Sequence, residues 1–101
     1  MIKGINVDYQ GRCQHWHSVV DIVANLCAKC KCFYACYECH DVMNLHKFEP
    51  MSINNEERAV MCGVCNYQMT VWSYQHSNYQ CPNCHHAFNQ RCSLHNNTYF
   101  C

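Results

Sequence analysis

The sequence lacks the features that would place it in a membrane or on nucleic acid. Its longest apolar run is far shorter than the roughly 20 residues that a membrane-spanning helix requires. The N-terminal stretch MIKGINVDYQGR lacks the apolar core of a secretory signal, so we expect a cytoplasmic protein. Lysine plus arginine equals aspartate plus glutamate at seven each, which leaves no basic surplus for a phosphate backbone. We therefore expect a partner that is neither nucleic acid nor membrane.

Apolar side chains are also scarce once cysteine is set aside. The 101 residues are 50% hydrophobic, but twelve of them are cysteine. The remainder is about 38%, which is below the usual range for a globular domain. Because a chain of this length buries only a modest share of its surface, it needs disulfides or metal ions for stability.

The arrangement of the cysteines favours zinc over disulfides. An even count of twelve is compatible with a disulfide framework. However, most of the cysteines form C-x2-C pairs, which are too closely spaced to close long loops, and histidines lie among them. Zinc uses both residue types as ligands. Three zinc ions held by nine thiolates would give a formal net charge of about −3, which argues further against nucleic acid.

The second half of the chain contains the more specific metal signature. Cys62-Gly-Val-Cys65 and Cys81-Pro-Asn-Cys84 match the C-x2-C-x15–20-C-x2-C spacing of zinc sites. Each pair forms a tight turn, and the residue after it often needs a positive φ, which Asn66 and His85 tolerate. Four thiolates close the zinc shell, so we expect a structural rather than a catalytic site. We predict a zinc-ribbon-like module over residues 59–96.

The first half offers candidate ligands for two further sites, with one residue to spare. They are Cys13, His15, Cys27, Cys30, Cys32, Cys36, Cys39, His40 and His46. Adjacent Cys39 and His40 project in different directions, so we expect them on different ions. The pairs then interleave within residues 9–47, with one zinc on Cys13, His15, Cys36 and Cys39 and the other on Cys27, Cys30, His40 and His46. Cys32 is left over, although it could compete with Cys30 as an additional ligand.

The remaining segments predict few regular elements. Residues 19–26 and 67–74 favour strands, although the first could also begin a helix, and residues 37–47 favour a short helix. Residues 48–58 contain no candidate ligand and are typical of a connector. The predicted fold is small and metal-stabilised, of the zinc finger class, and loop-rich with short strands and one or two short helices.

Cys92 and His95 leave an open question. They could form half of a fourth metal site, helped by Cys101 or His85, or they could exchange with Cys13 and His15. The alternative is a free cysteine and an ordinary histidine, since zinc prefers four ligands and this pair supplies two.

We expect the other aromatic side chains to cover the metal sites and fill the small core, and the other histidines to lie at the surface. The aromatic residues are Trp16, Phe33, Tyr34, Trp72 and Phe88, and the histidines are His17, His76, His85 and His86.

Together, these motifs resemble the CHY-type zinc finger family. The resemblance rests on Cys13-Gln-His15, on Phe33-Tyr34 followed by Cys36-Tyr-Glu-Cys39-His40-Asp41, and on the ribbon ending in Cys81-Pro-Asn-Cys84. It covers about residues 12–96 and implies one three-zinc domain that includes both modules. Small stand-alone members of the family include bacterial proteins and a helper of Tim proteins in the mitochondrial intermembrane space. The resemblance therefore implies that compartment as the alternative location.

We expect a non-enzymatic protein whose structural zinc sites present a surface for another protein. The alternative is a thiol-redox or zinc-handling factor that assists other cysteine-rich proteins, with C-x2-C pairs that release zinc and form disulfides. The family also contains ubiquitin ligases, but the sequence contains no RING region, so ligase activity is not implied.

Overall fold

Five short strands form one sheet in the computed structural model, which describes residues 2–52, 54–90 and 99–100. In chain order they are β1 (Ile2–Lys3), β2 (Val23–Leu26), β3 (Phe33–Tyr34), β4 (Val60–Cys62) and β5 (Gln68–Met69). Their order in the sheet is β1-β3-β2-β4-β5. Neighbouring strands are antiparallel except for β1 and β3. Two short helices, α1 (Tyr37–Met43) and α2 (Val71–Gln75), complete the named elements. The predicted fold class is confirmed.

The pairing of β2 with β4 joins the two predicted modules in one sheet. Val23 lies opposite Cys62, so a strand of the first half runs directly beside a candidate ligand of the second. The boundaries of the modules, residues 9–47 and 59–96, stay a prediction. The shared sheet shows that the two halves are packed against each other.

The segment between the two predicted modules also contributes to the core. Phe48 and Met51 are 8% and 2% exposed. The Met51 amide donates a hydrogen bond of 2.8 Å to the carbonyl oxygen of Tyr99. The segment is therefore more than a solvated connector.

Buried side chains form two clusters, and cysteines belong to both. The larger one contains Ile22, Val23, Leu26, Cys27, Phe48, Met51, Ala59, Val60, Cys62, Met69, Val71, Tyr74, Cys81, Phe88, Tyr99 and Phe100. The smaller one contains Cys13, Ala35, Cys36 and Cys39. Candidate metal ligands therefore occupy core positions that apolar side chains usually fill in a larger protein.

Three predictions of local structure need correction. The strand expected over residues 19–26 begins only at Val23, and Val19 is 70% exposed. The strand expected over residues 67–74 is wrong beyond Met69. There the Oγ1 atom of Thr70 accepts a hydrogen bond of 3.1 Å from the amide of Ser73 and begins α2. This N-cap outweighs the alternating pattern of the segment. The helix expected over residues 37–47 is confirmed but ends at Met43.

The aromatic residues follow the expectation with one exception. Tyr34 and Phe88 are 3% and 2% exposed, and Trp16 and Phe33 are half-buried against the two cores. Trp72 is 62% exposed and stacks on the ring of His76 instead. The prediction that Trp72 fills the core is therefore wrong, because α2 turns its side chain outwards.

Candidate metal centres

Three groups of four side chains bring potential metal-binding atoms together. They are Cys13, His15, Cys36 and Cys39 in the first cluster; Cys27, Cys30, His40 and His46 in the second; and Cys62, Cys65, Cys81 and Cys84 in the third. Within each cluster the four ligand atoms lie within 4.8 Å of one another. These are the same three sets that the spacing of the sequence predicts.

The sulfur distances in the third cluster suit a tetrahedral zinc ion. The Sγ atoms of Cys62 and Cys84 are 3.7 Å apart, and those of Cys65 and Cys81 are 3.6 Å apart. Zinc–sulfur bonds of about 2.3 Å at tetrahedral angles place two sulfurs about 3.8 Å apart. A disulfide would need about 2.05 Å. All ten cysteines of the described ranges have free thiols.

Three C-x2-C turns share one backbone arrangement. In the turn that begins at Cys27, its amide donates to the carbonyl oxygen of Cys32, and its own carbonyl oxygen accepts from the amide of Lys31. The turns that begin at Cys62 and Cys81 contain the same two hydrogen bonds at the same offsets. The first half of the chain therefore contains a zinc-ribbon type of turn, and Cys32 completes it through its backbone.

The residue after each of these turns has a positive φ. The angles are 65° at Asn66 and 67° at His85, as the sequence predicted. In the turn that begins at Cys27, Lys31 has a φ of 58°, which the sequence analysis did not predict. Lys31 lies four residues after Cys27, just as Asn66 and His85 lie four residues after the first cysteine of their pairs. This shared position could have predicted its positive φ.

The first cluster forms around the beginning of α1. Cys36 is the N-cap residue, and its Sγ atom accepts a hydrogen bond of 3.4 Å from the amide of Cys39. The Nδ1 atom of His15 lies 3.4 Å from the sulfur of Cys36 and 3.5 Å from that of Cys39. The Ile5 amide donates to the sulfur of Cys39 at 3.3 Å. Such amide bonds stabilise thiolates, the form that binds zinc.

The second cluster contains a buried polar atom that a metal ion would satisfy. His40 is fully buried, and its Nε2 atom has no hydrogen-bond partner within the described part of the chain. Such an atom is costly to bury unless it is bound. A ring nitrogen of His40 lies together with the sulfurs of Cys27 and Cys30 and a ring nitrogen of His46. The donor set fits zinc.

The thiols of a cluster have pKa values displaced in opposite directions. A hydrogen bond with the Cys36 thiol lowers the pKa of Cys13 to about 5, and the same bond raises the pKa of Cys36. Burial raises the pKa of Cys62 to about 12. Burial also raises the pKa of Cys65, but hydrogen bonds from Asn83 and Tyr67 outweigh it and lower that pKa to about 6. One thiolate of a cluster is thus stabilised by hydrogen bonds from neighbouring thiols that keep their protons. A bound cation would allow all the thiols of the cluster to ionise together.

Cys32, Cys92 and His95 are outside the three clusters. The thiol of Cys32 donates to the carbonyl oxygen of Cys30 at 3.5 Å and, within the part of the chain that the structure describes, belongs to no group of metal-binding side chains. Cys92 and His95 lie outside the described residues, so their predicted metal role stays a prediction.

Comparison with known proteins agrees with the geometry of the clusters. The family model of the CHY zinc finger matches residues 13–74, which include the first two clusters and half of the third. No solved structure matches the chain. Within the described ranges, no helix has the length and apolar character needed to cross a membrane.

Three curated proteins match 98% of the chain. "Helper of Tim protein 13" of Kluyveromyces lactis is 44% identical over 100 residues, which are 87% of that protein. The protein of the same name in Saccharomyces cerevisiae is 40% identical, with 89% of it covered, and an uncharacterised protein of Schizosaccharomyces pombe is 41% identical, with 88% covered. With three Cys/His clusters for three zinc ions, the chain is a zinc-binding protein and belongs to the CHY zinc finger family.

Proposed function

We propose that the twelve clustered side chains hold three structural zinc ions, and that the domain stabilised in this way presents a surface that binds another protein. The observation that carries the structural role is the closed ligand set of each cluster. Every cluster supplies four protein ligands, which leaves no open coordination position for a water or substrate. We therefore also propose that the protein is not an enzyme.

A Tim protein is the partner that the relatives suggest. Two of them carry the name "Helper of Tim protein 13", and the matches extend over almost the whole of this chain. We accordingly propose the mitochondrial intermembrane space as its location, in place of the cytoplasm that the absence of a signal had suggested.

An exposed apolar surface beside the second cluster is the proposed contact site. Leu45 is fully exposed, and Val42 and Met43 are 70% and 48% exposed. They lie at the end of α1, between the ligands His40 and His46. Apolar side chains grouped in this way on a small soluble domain are typical of protein interaction sites. The zinc ion held by His40 and His46 would fix the backbone that presents them.

Calorimetry can test this function by measuring the binding of the zinc-loaded protein to a reduced Tim protein. We expect Leu45→Asp to weaken the complex by at least about tenfold, because a buried charge replaces an apolar contact. Val19→Asp is the matched control, since Val19 is as exposed as Val42 and lies elsewhere in the chain. Absence of binding by the unmodified protein, or equal losses for both variants, would contradict the proposal.

A zinc-handling or thiol-redox role is the second candidate, and it is the second cluster that favours it. Cys30 and His46 are half-buried there, like Cys65 and Cys84 in the third cluster, but the second cluster differs in having the spare thiol of Cys32 beside the Cys30 backbone. A ligand that solvent or a partner can reach is easier to displace. Zinc release in glutathione buffers of defined potential separates this role from a purely structural one.

A further inference from the structure

We infer that Asp41 is a positioning residue for the second zinc cluster, where it orients the His40 ring and selects the nitrogen that meets the metal. The inference rests on the proposed function, because it takes His40 as a zinc ligand. Asp41 follows His40 directly in α1, and its Oδ1 atom lies 3.0 Å from the Nδ1 atom of His40.

The choice of ring nitrogen follows from the contacts of both. A carboxylate oxygen only accepts hydrogen bonds, so the Nδ1 atom of His40 must carry the proton and donate it to Asp41. The Nε2 atom then has a free lone pair. His40 supplies one ring nitrogen to the second cluster, and since Nδ1 is bonded to Asp41, the nitrogen left for the metal is Nε2, the buried atom without a hydrogen-bond partner in the described ranges. The opposite tautomer would place a proton on Nε2 and a lone pair against the carboxylate.

The carboxylate of Asp41 is itself held in place. Its Oδ1 atom also accepts a hydrogen bond of 2.7 Å from the amide of Phe48. The next amide, that of Glu49, donates to the sulfur of Cys27 at 3.4 Å. Residues 48–49 therefore support two ligands of the second cluster by backbone hydrogen bonds: Glu49 bonds to Cys27 directly, and Phe48 acts on His40 through Asp41. The ring of His40 has little freedom besides, because the rings of Tyr34 and Phe48 pack edge-on against it.

The first cluster supplies a natural comparison. Its histidine, His15, turns Nδ1 towards the sulfurs, and its Nε2 atom lies 3.6 Å from the Oε2 atom of Glu38. That separation is longer than a hydrogen bond, whereas Asp41 and His40 are within hydrogen-bond distance. The same helix thus carries one carboxylate that is hydrogen-bonded to a ligand and one that is only near a ligand.

Cadmium-113 NMR of the metal-loaded full chain, with competition by a chelator, measures each site separately, because the three clusters differ in their number of sulfur ligands and so give different shifts. Partners in the outer shell of a metal site typically change affinity by about 10- to 100-fold. We expect Asp41→Ala to weaken the second cluster by that factor. Asp41→Asn should cost less, because its amide oxygen still accepts from His40 and Phe48. Glu38→Ala should leave the second cluster unchanged.

Long-range proton–nitrogen NMR of the zinc-loaded wild type identifies which ring nitrogen of His40 carries the proton. A merely structural role of Asp41 would not determine that nitrogen. We expect the proton of His40 on Nδ1 and the metal on Nε2. Metal on Nδ1, a change of less than about threefold in Asp41→Ala, or equal loss from all three clusters would overturn the inference. If Asp41→Ala does not fold, Asp41→Asn and the wild-type tautomer still decide. A wild type that loads no metal on His40 would instead contradict the proposed function.

Discussion

The amide of Gly63 donates a hydrogen bond of 2.7 Å to the carbonyl oxygen of Ile22. This bond places the first turn of the third cluster directly against the N-terminal half of the chain. A β-carbon at Gly63 would overlap the backbone carbonyl of Gln10. Only glycine allows this approach, so the third cluster and the N-terminal segment depend on each other.

Gly63→Ala should therefore destabilise the zinc-loaded protein. Overpacking of a well-filled site costs about 1–3 kcal/mol, and backbone atoms cannot move aside as a side chain can. Denaturant unfolding at saturating zinc measures the difference. Gly4→Ala is the comparison, because its nearest contacts would be 3.1 Å to Ala35, 3.3 Å to Val7 and 3.4 Å to the sulfur of Cys39, which require shifts of only a few tenths of an ångström, so it should cost less. Equal stability of Gly63→Ala and wild type would show that the close approach does not exist.

The reduced protein should carry three zinc ions per chain, because twelve side chains form three sets of four. Native mass spectrometry of protein never exposed to a chelator counts the ions. One zinc or none would reject the arrangement of the clusters.

Removal of the zinc should unfold the chain rather than loosen it. Structural zinc supplies about 10–16 kcal/mol of apparent binding free energy, which is comparable to or larger than the net stability of a typical domain, about 5–15 kcal/mol. Here the effect should be strong, since cysteine ligands belong to both buried clusters. Amide NMR spectra before and after chelation test this. Dispersed signals that survive chelation would contradict it.

Substitutions in different clusters should have separable effects on zinc content. Cys84→Ser should remove about one zinc and disorder mainly residues 59–88, with loss of order reaching β2 because β2 pairs with β4. His40→Ala should disrupt the N-terminal half and leave the metal of the third cluster in place. Zinc counts and amide NMR of both variants provide the measurement. Loss of metal from the third cluster alone in His40→Ala would show that the assignment of His40 is wrong.

Oxidation should distinguish the structural role from the redox role. Four thiolates fill the shell of the third cluster, so we expect it to resist glutathione buffers between about −220 and −320 mV. We expect the second cluster to be the weaker point, because the Cys32 thiolate can attack oxidised glutathione and release one glutathione thiol. The neighbouring Cys30 thiolate can then displace the second glutathione, which forms a Cys30–Cys32 disulfide and removes a zinc ligand. A chromogenic chelator measures the zinc released, and Cys32→Ser is the matched variant. Release of one or two zinc ions in this range would favour the redox role, and retention of all three would favour the structural one.

The ligand pattern was the part of this protein that sequence could predict. C-x2-C pairs act through local backbone geometry, so their spacing alone predicted the turns and the positive φ at Asn66 and His85. The adjacency of Cys39 and His40 predicted that they face different clusters, because neighbouring side chains on a helix diverge. The sequence also indicated that a chain with so little hydrocarbon requires disulfides or metal ions, and the C-x2-C spacing with histidines among the cysteines favoured metal.

Contacts between distant residues could be found only in the tertiary structure. The pairing of β2 with β4, the burial of Phe48 and Met51, and the approach of Gly63 to Gln10 join segments whose separation along the chain carries no local signal. The Thr70 cap that replaces a predicted strand with α2 is local, but it competed with an equally local alternating pattern. The sequence by itself determined which side chains could bind zinc, because ligand chemistry and turn geometry are local. Only the tertiary structure decided what surrounds each ligand, because those contacts depend on the path of the whole chain. The hydrogen bond from the Phe48 amide to Asp41, for example, forms only because the chain returns to the cluster after α1.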